Sequence, residues 1–186
     1  MIGNAIAGIF GTGAPPAPLT SYESIATTTV GSGGSSTITF SSIPSTFAHL
    51  QIRVMQITSG GYAASTTLRF NSDTGANYAY HYLIGDGSSA TAGNAVSQTS
   101  ILPFFNGNTT SPWVAVIDIL DYTSTAKQKT IRSLNGSDNN GSGYAVLGSG
   151  LYKPSTIAAI DTITITSPSG SFSQNSSFAL YGIKGA

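Results

Sequence analysis

The chain contains no cysteine, and its 7 lysines and arginines stand against 7 aspartates and glutamates. Without a thiol there is no disulfide framework, cysteine zinc ribbon, iron–sulfur site or cysteine nucleophile. Charged residues make up 8% of the chain, where ordinary soluble domains carry about a quarter. Zero net charge leaves no basic footprint for nucleic acid, because phosphate contacts need clustered Lys and Arg. No apolar run reaches the ~18 residues that cross a bilayer, so no membrane partner is expected. The stretch Met1 to Ala14 is apolar but lacks a basic region, and it reads poorly as a signal peptide.

Small hydroxyl residues fill the space that charge leaves. Ser occurs 28 times and Thr 23 times among 186 residues, with 22 Gly beside them. The hydrophobic fraction of 40%, with 9 Tyr and 8 Phe, suffices for a packed core and argues against intrinsic disorder. The length suits one domain, since sandwiches and barrels exceed 150 residues without splitting. A neutral, hydroxyl-rich surface of this kind suits packing against further copies of the chain.

Residues 1–20 form one segment and residues 21–186 another. In the first, Ile2, Ile6, Ile9 and Phe10 recur at helical spacing. Gly3, Gly8, Gly11 and Gly13 oppose an autonomous helix, at about 1 kcal/mol each relative to Ala. Pro15, Pro16 and Pro18 then make a stiff, extended spacer. Four large apolar side chains on a loose end are a solubility liability. A frayed terminus is the plain reading of the segment; the preferred one is an extended docking arm that orders against a partner.

From Tyr22 the period is two. Leu50, Ile52 and Val54 alternate with polar residues, and Leu68 and Phe70 continue the habit. Tyr78, Tyr80, Tyr82 and Ile84 share one face, as do Trp113, Ala115, Ile117 and Ile119, with Asp118 interrupting the other. Ile163, Ile165 and the run Phe178 to Ile183 repeat the pattern near the end. Thr, Val, Ile and aromatic residues, which fill these runs, fit a pleated surface. Turn clusters separate them, among them Gly31 to Gly34, Asp73-Thr74-Gly75, Asp86-Gly87, Asn106-Gly107, Asn135-Gly136 and Asn139-Asn140-Gly141. About ten short strands and no helical periodicity predict an all-β fold: a single antiparallel β-sandwich, jelly-roll-like, carrying the N-terminal arm.

Catalytic constellations are hard to find. His49 and His81 lack the HxH or HExxH spacing of a metal site and read as structural, hydrogen-bonded residues. The carboxylates Glu23, Asp73, Asp86, Asp118, Asp121, Asp138 and Asp161 show no pairing of the kind a glycosidase needs. Asp118 and Asp121 read as turn-capping groups, or as partners for Arg132 or Lys127. No serine stands in a GxSxG context, and the glycine-rich stretches lack the Lys-Ser/Thr of a phosphate loop. The expectation is no enzyme, no cofactor and no metal. Tyr62, Tyr78, Tyr80, Tyr82, Tyr144 and Tyr152 are candidates for a subunit interface or a glycan-stacking surface. Core or interface packing is the plainer reading of these tyrosines.

Several stretches resemble a family of small tailed-bacteriophage virion proteins, frequent in phages of aquatic bacteria. They are Tyr22 to Gly31, Phe40 to Phe47, His49 to Arg53, Arg69-Phe70-Asn71 with Asp73-Thr74-Gly75 and Asn77-Tyr78, Ile117 to Tyr122, and Ser177 to Gly185. The resemblance spans most of residues 22–185 and carries no catalytic motif. It implies a β-sandwich on the virion exterior, assembled in the host cytoplasm and oligomeric. Together with the arm, it leads to the expectation of a capsid decoration or cement protein. Such a protein would be a homotrimer whose partner is the major capsid protein or another virion protein. The alternative is a tail, collar or fibre module that binds host glycan.

Overall fold

The period-two runs all become strands. The computed structural model describes residues 21–60, 65–104, 111–167 and 169–185. Their twelve strands are β1 (Tyr22–Thr29), β2 (Thr37–Phe40), β3 (His49–Gln56), β4 (Thr66–Phe70), β5 (Tyr78–Gly85), β6 (Ala90–Gln98), β7 (Ile101–Phe104), β8 (Trp113–Leu120), β9 (Lys129–Asp138), β10 (Gly143–Tyr152), β11 (Ile163–Thr166) and β12 (Ser177–Ile183). The expected arm, with Ile2, Ile6, Ile9, Phe10, Pro15, Pro16 and Pro18, lies outside the described residues, as does Tyr62.

The strands form two antiparallel sheets, ordered β1-β12-β3-β8-β9-β10-β5-β6 and β2-β11-β4-β7. Within them is a nested pairing. β1 pairs with β12, β2 with β11, β3 with β8 and β4 with β7. Successive pairs alternate between the sheets, as when one long hairpin is rolled up, which is the eight-stranded jelly roll with its two Greek keys. The other four strands are two insertions. The β5–β6 hairpin leaves between β4 and β7, and the β9–β10 hairpin between β8 and β11. Both insertions extend the large sheet past β8, so that it outgrows the small one.

The core sits between the sheets. From the large sheet come Ile52, Ile117, Ile119, Phe178 and Leu180, and from the small one Leu68, Phe70, Ile163 and Ile165, all fully buried. Phe172, in the loop before β12, meets Phe178 edge-on at 4.8 Å. A glycine is needed at position 182, because a Cβ there would lie 2.3 Å from the Phe47 ring that covers the strand.

Turn chemistry is as the sequence expects at most described positions, Asn106-Gly107 lying outside them. In the β9–β10 hairpin Asn140 and Gly141 have φ of 51° and 107°, and Asn139 N–H donates to Ser142 O at 2.7 Å. Two central residues with positive φ match the right-handed twist of the flanking strands. Asn135-Gly136 differs. It lies inside β9 rather than in a turn, because Asn135 turns inward and accepts a hydrogen bond from Trp113 Nε1 at 3.1 Å.

Candidate interaction surface

The tyrosine-rich strand faces the inside, which corrects part of the expected surface. Tyr78 and Tyr152 are opposed across β5 and β10, stack at 4.8 Å, and are only 1% and 5% exposed. They belong to the core and cannot form a glycan or subunit surface. Their hydroxyls are satisfied inside. Tyr78 donates to Asp73 O at 3.1 Å, and Tyr152 donates to Asp73 Oδ2 at 2.9 Å. Burial pushes the Tyr78 hydroxyl up to about 12, and burial together with the Asp73 carboxylate raises Tyr152 as well. Tyr80 and Tyr82 are half-buried on the same inner face, Tyr80 against the core and Tyr82 over Gly93. Tyr144 alone among the described candidates is well exposed, where it stacks on the buried Trp113 at 6.2 Å.

The titratable side chains are tied up. Asp118 accepts from Gln51 Nε2 at 2.9 Å and from Arg132 at 3.2 Å. Asp121 pairs with Lys127 at 2.8 Å and is held below the usual carboxylate range by that hydrogen bond and charge. His49 Nδ1 accepts Asp121 N–H at 3.0 Å, a structural role, whereas His81 is exposed on the outer face. Lys129 is buried, donating to Ser124 O and Lys127 O, and desolvation lowers its ammonium. Glu23, Asp73, Asp86, Asp138 and Asp161 also accept hydrogen bonds or ion pairs from neighbouring groups. Among the described residues no three His, Cys, Asp or Glu side chains come together as metal ligands. Such carboxylates are turn and sheet struts, already occupied as acceptors.

What the structure assembles is a two-tone outer face on the large sheet. One row of directly opposed residues runs Tyr181, Gln51, Asp118, Arg132, Ser149 and His81 across six strands. Arg53 caps its β3 end, bonded to Gln51 Oε1 at 2.9 Å and lying over the Tyr181 and Tyr22 rings at 5.0 and 5.7 Å. Two residues along each strand the chemistry changes. Val116, Leu134, Leu147 and Leu83 are opposed in sequence across β8, β9, β10 and β5. They are 40%, 65%, 52% and 49% exposed. Met55 and Val114, opposed on β3 and β8, continue the apolar area at 46% and 52%. Single exposed apolar residues are ordinary, but a contiguous patch marks an interaction site.

Two open depressions flank this area. One, of about 540 Å³, is lined by Leu83, Leu147, Arg132, His81 and Asn94 on the outer face. The other, of about 600 Å³, lies at the end of the extension among Asp86, Asn135, Ser137, Asp138 and Tyr144. Ser137 Oγ in its lining is buried without a hydrogen-bond partner.

Sequence reading missed the outer apolar row, although a signal was there for its β8 members, Val114 and Val116. Trp113 to Ile117 is apolar at both parities, the mark of a strand with two apolar faces. The chain matches no protein-family model, and it shows no significant similarity to a curated protein.

Proposed function

We propose that the protein is a non-enzymatic structural protein of the bacteriophage virion exterior, a capsid decoration or cement protein. The supporting observation is the pairing of a jelly-roll body, whose seven carboxylates are all engaged in struts, with an apolar outer sheet face. A body of this kind offers surface for assembly rather than a reaction centre. In this reading residues 1–20 anchor the body to the major capsid protein or another virion protein, and the copies form homotrimers at local three-fold positions. Repetition of each contact by every copy is what makes a symmetric accessory layer stable.

Copy number per particle tests the reading, by quantitative mass spectrometry of purified virions against the shell subunit. A count comparable to the shell subunit is expected. Absence from particles overturns it. Deleting residues 1–20 is expected to leave a folded body that no longer attaches, and retained attachment would remove the arm's role.

A second reading, a tail, collar or fibre module binding host glycan, is favoured by the depression beside Tyr144. An exposed aromatic ring with carboxylates and amides nearby has the chemistry to hold a sugar ring. A few copies per particle, with saccharide binding lost in Tyr144→Ala, would select it.

A further inference from the structure

The geometry points to the outer face of the large sheet as the surface on which a second copy of this chain packs, sheet against sheet across a two-fold axis. The inference rests on the reading of a self-associating protein, but not on its place in a virion. Val116, Leu134, Leu147 and Leu83 make a ridge perpendicular to the strands, each directly opposed to the next. Two residues further along β9, β10 and β5 lies a row of small residues, Gly136, Ala145 and Gly85, again directly opposed, with Ala90 beside them on β6 and the larger Val114 on β8. The ridge therefore stands beside a trough about 7 Å away.

A two-fold axis in the plane of the face, running between these rows, turns the face over and exchanges them. Leu134, Leu147 and Leu83 of one copy then lie over Gly136, Ala145 and Gly85 of the other, and the reverse, with Val116 against Val114 beside them. This is the self-complementarity that an isologous contact requires. Strands of the two sheets run nearly aligned, the common mode of face-to-face sheet packing. No arbitrary partner offers this match by default, whereas a second copy does so by construction.

Electrostatics and size agree. The chain has zero net charge, so copies do not repel through net charge. The charges bordering the ridge are already engaged, Arg132 by Asp118 and Arg53 by Gln51 and the Tyr181 ring. Covering them leaves no charge unpaired, which is the costly case. About this axis five strands at ~4.8 Å spacing overlap over some five residues of ~3.3 Å, about 400 Å² in plan. With side-chain relief this reaches the low end of interface sizes, ~600 Å² per partner, the range of transient association.

The test uses the purified full chain, away from any particle. Sedimentation velocity across micromolar concentrations is expected to show an even-numbered species, a dimer or, combined with a three-fold contact, a hexamer. In the double variant Leu134→Lys, Leu147→Glu the new side chains face each other across β9 and β10, where opposite charges support the sheet. The variant is expected to keep its melting temperature and to weaken self-association by about 100-fold, giving monomers or trimers. A monomeric wild-type chain overturns the inference, as does a trimer unaltered by the variant. A monomeric full chain whose 1–20 deletion dimerises would assign the face to the arm instead and would equally overturn it. Virion copy number is read separately, so failure here leaves the decoration reading standing or falling by itself.

Discussion

The eight rolled strands and the four that extend the large sheet obey the same alternation but fill it differently. In the rolled part, β3, β8 and β12 turn Ile52, Val54, Ile117, Ile119, Phe178 and Leu180 inward against β2, β11 and β4. In the extension the inward positions mix Ile131, Val146, Tyr78 and Tyr152 with Ser133, Asn135, Gly148 and Gly150, and end on half-buried Tyr80 and Tyr82. Among the described strands of the small sheet, the edge strand β7 reaches over them, and its Ile101 fits because Gly150 has no side chain. Outside, the rolled part carries the Gln51–Asp118 hydrogen bond together with exposed Met55, Val114 and Val116, and the extension adds Leu83, Leu134 and Leu147 in the open. Where the sheet outgrows its partner layer, toward β5 and β6, inward side chains such as Tyr80 and Tyr82 are only half-buried, and the leucines outside leave further apolar area in the open.

The largest effect should come from the rolled core. Phe178→Ala is expected to cost about 3–5 kcal/mol, read by denaturant unfolding, since its ring is fully buried against Phe172. Tyr82→Ala, half-buried in the extension, should cost about 1 kcal/mol. Equal losses would break the distinction between the two regions and make them equally packed.

The seam between the regions is next. Tyr152→Phe removes a hydrogen bond to the Asp73 carboxylate, and a loss of about 1.5 kcal/mol is expected. Desolvation pushes the Asp73 carboxyl up, yet hydrogen bonds from Asn77, Gly75 N–H and Tyr152 hold it below its ordinary value on balance. A carboxyl lowered by folding stabilises fully above its unfolded value and loses that contribution as pH falls through the folded one. Wild-type melting temperature should therefore drop below about pH 4, and Asp73→Asn should flatten part of that drop. An unchanged slope would remove Asp73 from the seam.

The smallest effect should be on the outer polar row. Asp118→Ala removes an ion pair to an exposed Arg132, and a change under about 1 kcal/mol is expected from thermal unfolding. A larger loss would show that the row braces the sheet.

Much of the body was legible because its signals are local. Trp113, Ala115, Ile117 and Ile119 announce a strand by spacing alone, and Asn139-Asn140-Gly141 announces a turn because positive φ suits Asn and Gly. Strands such as β6, with Ala90, Ala92, Gly93 and Ala95, were illegible, since small residues carry little periodic contrast. Among the described tyrosines of the candidate surface, Tyr144 alone is well exposed. Tyr78 and Tyr152 share a hydropathy with Tyr144, and nothing in their spacing tells a buried ring from an exposed one.

By itself, then, the sequence determined most of the extended segments, most of the turns, and that neither charge nor thiol chemistry is at hand. These follow from side-chain alternation, backbone preference and composition, each readable within a few residues. Tertiary structure alone decided which parity of each strand faces the core. It also decided that β9 and β10 extend a jelly-roll sheet, and that leucines from three strands stand side by side on its outer face. Those facts depend on pairing between segments far apart along the chain, and the period of a single strand is the same whichever neighbour it finds.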